Sequence, residues 1–112
     1  MEIKTNEFQA WSVGTEIHLE GAMRLAGSDA YAPIYALMID VLNKAKSSVT
    51  MNLSNLEYLN SSGINMIAKF TIEVRKRESL HLTIKGSDQI PWQNKSLRNL
   101  KKLLPELDLL IQ

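Results

Sequence analysis

Between Val49 and Lys76 the spacing of the apolar residues changes from every second position to a helical repeat, with one short turn between them. That change allows little besides a strand followed by a helix laid back against it. Val49, Met51 and Leu53 alternate with Thr50 and Asn52, as a half-buried strand requires, and Leu56, Tyr58 and Leu59 carry apolar character on towards the turn. The helix then opens on Asn60-Ser61-Ser62-Gly63 and runs from Ser61 to about Arg77. Asn60 is the expected N-cap, its side-chain oxygen accepting an N–H of the first turn. Both serine hydroxyls therefore sit at the positive end of a helix, where unpaired N–H groups and a partial charge of roughly +0.5 favour an anion, a phosphoryl group included.

Ile64, Ile67, Ala68, Thr71 and Val74 form the expected buried stripe of this helix, with Asn65, Lys69, Arg75 and Lys76 elsewhere. Met66 and Phe70 fall to the side of that stripe. They are either a wider core contact or a partly exposed apolar patch beside Ser62. On the second reading they join Asn65 and Lys69 as partner-binding residues.

The flanking sequence supplies the rest of a layered fold. Phe8 to Val13, Gly14-Thr15 and Glu16 to Glu20 read as a hairpin, with Ile17 and Leu19 inward. Ser28 or Asp29 is the expected cap of a first helix running to about Ala45, with Pro33 in its first turn and a stripe of Ile34, Leu37, Met38, Val41, Leu42 and Ala45. Leu80, Leu82 and Ile84 alternate as another strand, and Gly86 to Pro91 form the loop after it. A third helix spans about Gln93 to Leu104, with Leu97, Leu100, Leu103 and Leu104 inward and Pro105 ending it; Leu107 to Ile111 supply a last short strand. Trp92 is a packed lid or an exposed anchor. This order predicts an α/β domain over residues 1–112, with a mixed sheet of four to five strands and three helices mainly on one face. Right-handed crossovers put the strands beginning near Ser48 and Leu80 parallel at its centre.

Composition narrows the chemistry. With 112 residues, 45% of them hydrophobic, the chain fits one domain with a proper core, and the lack of cysteine removes disulfides and thiol chemistry. No stretch approaches the roughly 18 apolar residues of a membrane span, so a soluble cytoplasmic protein is expected, without membrane contact. A net charge of +1 provides no strong field for nucleic acid, although Arg75, Lys76 and Arg77 lie together, as do Lys95, Arg98, Lys101 and Lys102. His18 and His81 have no partners at metal-ligand spacing, no glycine-rich phosphate loop exists, and nothing nominates a base for Ser62. The expectation is a protein that is not an enzyme and carries no metal or cofactor.

The string Asn52-Leu53-Ser54-Asn55-Leu56-Glu57-Tyr58-Leu59-Asn60-Ser61-Ser62-Gly63-Ile64 resembles the signature of the STAS domain family, the anti-sigma factor antagonists and their relatives. In that family a strand ends in a similar leucine-rich turn followed by Asp-Ser-Ser-Gly; Asn60 stands here in place of the acidic residue. Leu19-Glu20-Gly21 is similar to the family's pattern after its second strand. The resemblance implies a STAS-like domain acting as a protein-interaction switch, with Ser62 as the phosphorylated residue and Ser61 as second choice, supported by Asn60 and Gly63. It also implies the partners: an anti-sigma-type serine kinase with a histidine-kinase-like ATP fold, and a metal-dependent serine phosphatase. The alternative is an unphosphorylated scaffold, or an anion- or nucleotide-binding module, built on the same helix end.

Overall fold

A computed structural model describes residues 2–112 of the chain. Seven strands, β1 (Glu2–Lys4), β2 (Phe8–Val13), β3 (Glu16–Met23), β4 (Ser48–Asn52), β5 (Leu56–Leu59), β6 (His81–Gly86) and β7 (Asp108–Ile111), form one sheet with three helices, α1 (Gly27–Lys44), α2 (Ser61–Arg75) and α3 (Pro91–Asn99). The spatial order is β1-β2-β3-β4-β6-β7, with β5 also paired to β3. β1, β2 and β3 run antiparallel, while β3, β4, β6 and β7 are parallel neighbours. The α/β class and the parallel centre are as expected, but the sheet is larger than four to five strands.

The two extra strands have identifiable causes. β1 is three residues long, too short for its alternation to stand out from a charged segment. β5 shows buried residues only at its ends, Leu56 and Leu59, so it lacks the two-residue period of a strand. It exists because β3 outruns β4: Glu16–His18 pair with Thr50–Asn52, and Gly21–Met23 pair with Leu56–Leu59. The pairing shifts register between Gly21 and Ala22. Gly21 has φ +92°, and a Cβ there would lie 2.9 Å from Phe8 Cα, so only glycine suits this kink.

Alternation then assigns the two faces of the sheet. Ile17, Met51 and Ile84 are in register across β3, β4 and β6 and fully buried, as are Val49 and Leu82. They share one core with Ile34, Leu37, Met38 and Val41 of α1, Ile67 and Val74 of α2 and Leu97 of α3, so the helices cover this face. The row Trp11, His18, Asn52 and Lys85 lies on the other face, where each side chain is half-buried. Each histidine there faces a single carboxylate: His18 is 3.3 Å from Glu16 and stacks on Trp11, and His81 is 3.0 Å from Asp108. Among the described residues no helix is long and apolar enough to cross a membrane.

Two expectations about helix boundaries are corrected. α1 starts at Gly27 with Ala26 at the cap position, where no side chain bonds the first turn, so neither Ser28 nor Asp29 is the cap. Asp29 still favours the helix dipole from the first turn. Pro33 consequently lies in the second turn, and the position four residues earlier that lacks its N–H is Asp29. α3 begins at Pro91, two residues ahead of expectation, with proline at the position where a missing N–H is harmless. A 3-10 turn over Leu100–Lys102 completes the leucine-lined segment. Trp92 is packed, donating its indole N–H to Leu56 O at 3.1 Å.

Candidate functional site

The start of α2 is held by Asn60 through both ends of its side chain. The backbone of Asn60 is extended, φ −80° and ψ 176°, and its Oδ1 accepts the N–H of Gly63 at 3.0 Å, the expected cap bond. The same oxygen lies 2.7 Å from the hydroxyl of Tyr31 in α1, which is also 3.1 Å from Met23 O. Asn60 Nδ2 donates to Leu25 O at 2.8 Å. One side chain thus joins α2, α1 and the segment between β3 and α1. Because Nδ2 must donate, an aspartate would set a carboxylate oxygen against the Leu25 carbonyl; this accounts for asparagine at position 60.

Burial pushes the Tyr31 hydroxyl above its ordinary value of 10.0, so it remains a proton donor to Asn60. The sign follows from linkage. The unfolded phenol ionises first, so this contribution to stability is full below pH 10 and is lost above it. Gly63 is required by close approach: a Cβ would lie 2.8 Å from Leu59 Cγ and 2.9 Å from the Tyr31 hydroxyl. Tyr31 was absent from the expected site, although it lies three residues before Ile34 and seven before Met38, on the α1 stripe.

These contacts predict a graded loss of stability. Asn60→Ala removes the cap bond and leaves Leu25 O without its donor, at an expected cost of about 2–3 kcal/mol. Asn60→Asp keeps the cap but replaces the donor with a carboxylate oxygen facing the Leu25 carbonyl, so its urea midpoint should fall between that of the parent and that of Asn60→Ala. A midpoint for Asn60→Asp equal to that of the parent would show that the bond to Leu25 contributes nothing.

The serines are now placed. Asn60 satisfies the N–H of Gly63 with its side chain and that of Ile64 with its carbonyl at 2.9 Å. The N–H groups of Ser61 and Ser62, ahead of these, have no acceptor within the helix. Ser61 is exposed, whereas Ser62 is half-buried. Ser62 forms the lip of a cleft of about 440 Å³ between α1 and α2, opposite Ser28 and Asp29. Asn65 and Lys69 line the same cleft from α2, and Tyr35 and Ile39 from α1. The Lys69 ammonium sits over the Tyr35 ring, 4.7 Å from its centroid.

The exposed-patch reading of Met66 and Phe70 is corrected. Phe70 is fully buried and Met66 is 5% exposed; the side of α2 that carries them faces the core, and Ile64 and Ala68 are the residues only partly buried. Met66 reaches the floor of the cleft and Phe70 does not. The expected site therefore separates into Asn60, Gly63, Ser62, Asn65 and Lys69, which the structure brings to one helix end and one cleft, and Phe70, which it places in the core. No family model and no curated protein matches the chain.

Proposed function

We propose that this chain is a STAS-like regulatory domain whose binding to a protein partner is controlled by reversible phosphorylation of Ser62. The observation that supports this reading is a half-exposed serine in the first turn of α2, with the capping bond made by Asn60 and the lip of a cleft beside it. A phosphate there adds about −1.5 to −2 charges. The helix N-terminus accommodates the charge, so the domain stays folded while a partner shaped for a neutral hydroxyl is repelled. By the resemblance, that partner is an anti-sigma-type serine kinase with a histidine-kinase-like ATP fold, and a metal-dependent serine phosphatase resets the switch. Nucleotide and metal belong to those proteins, and the exchange takes place in the cytoplasm.

The test begins with the protein isolated from its own cells, with intact mass reporting the phosphate and co-purifying chains reporting the partner. Ser62→Ala should retain that partner and Ser62→Asp should lose it, a drop in affinity of at least about tenfold. Both variants should unfold within about 0.5 kcal/mol of the parent, as surface changes do. Equal partner binding by the two variants would overturn the reading.

A further inference from the structure

We propose that the cleft between α1 and α2 binds a small aromatic monoanion, its ring lying over Met66 and its acid group meeting Lys69. About 440 Å³ is within the range of small-molecule sites, and the lining has the mixture such sites use, an apolar body with a few placed polar groups. Ala32 and Ala36, one helical turn apart on α1, leave the space open, while Met66 and the buried Tyr31 close the floor. From Ser62 to Lys69 is about 10 Å along the helix axis, the length of a fused two-ring system with one substituent.

Charge sets the orientation. Lys69 is the lysine lining the cleft, and among the described residues it has no carboxylate within salt-bridge distance. Its position over Tyr35 holds the ammonium at the mouth, while the Asp29 carboxylate, lining the same cleft near the helix starts, repels a second negative charge. A ligand with one acid group and a flat apolar body fits both ends; a dianion does not. This proposal does not depend on the phosphorylation of Ser62.

The probe is 8-anilinonaphthalene-1-sulfonate, an aryl sulfonate, titrated into the full unphosphorylated chain by fluorescence and by amide chemical shifts. One saturable site is expected, with the shifts concentrated at Ala32, Ala36, Asn65 and Lys69. Ala36→Trp fills the cleft from an exposed helix position, and Lys69→Glu reverses the charge; each should weaken binding by at least about tenfold. Lys69→Arg should stay within about threefold of the parent, and the uncharged N-phenyl-1-naphthylamine should bind about tenfold more weakly than the sulfonate. Absence of a 1:1 site, shifts on the open face of the sheet, or parent-like binding by either Ala36→Trp or Lys69→Glu would overturn the proposal.

Discussion

Gln93→Leu is expected to lower the unfolding free energy by about 1–3 kcal/mol, although it exchanges a polar side chain for an apolar one of similar size. Gln93 has no solvent exposure. Its Oε1 accepts the N–H of Ser87 at 2.7 Å, and its Nε2 donates to Leu53 O at 2.7 Å and to Leu56 O at 3.0 Å. A leucine leaves the part-buried Ser87 N–H without a partner, while Leu53 O keeps the N–H of Leu56 at 2.9 Å and Leu56 O keeps the indole of Trp92. An orphaned N–H costs about 1–3 kcal/mol. Domains of this kind have only about 5–15 kcal/mol in total, so the thermal midpoint should fall by about 4–12 °C. Circular dichroism melting measures this, and a shift under about 3 °C would show that these bonds are not what holds α3 to the turn between β4 and β5.

Phe70→Ala should be more severe, at about 3–5 kcal/mol, because it removes a fully buried ring from the middle of the core. The value of the experiment is its contrast with Lys69→Ala on the neighbouring position. Lys69 is exposed, and its truncation should change stability by no more than about 0.5 kcal/mol. Were Phe70 instead a docking residue, both variants would unfold like the parent and differ only in binding. Urea midpoints at constant slope separate these outcomes.

The two readings left open for Phe70, core contact or exposed patch, show where periodicity stops. On α2 the arc through Ile64, Ile67, Ala68, Thr71 and Val74 and the arc through Gly63, Met66, Ile67, Phe70 and Val74 share two large residues and obey the same spacing. Spacing says that a stripe exists; the direction from which β5 and α1 approach decides which flank is covered. α1, the parallel pair β4 and β6, and the cap at Asn60 were legible because each rests on a local pattern. β5 was not, since it exists only to pair with the part of β3 beyond β4, a contact between distant parts of the chain. Nor was the burial of Gln93, because an amide is usually exposed and its three acceptors and donors lie in the segments around residues 53–56 and 87. The cleft was equally invisible. It depends on alanines at positions 32 and 36 facing a helix whose distance from α1 is set elsewhere.

β1 and β7 occupy opposite margins of the sheet, so the two ends of the described chain leave it at opposite sides, five strand spacings or about 24 Å apart. A pair of fluorophores attached at those ends would report on the sheet as a whole and stay silent about events at the beginning of α2. Any probe of the serine turn must therefore be carried on the helices themselves.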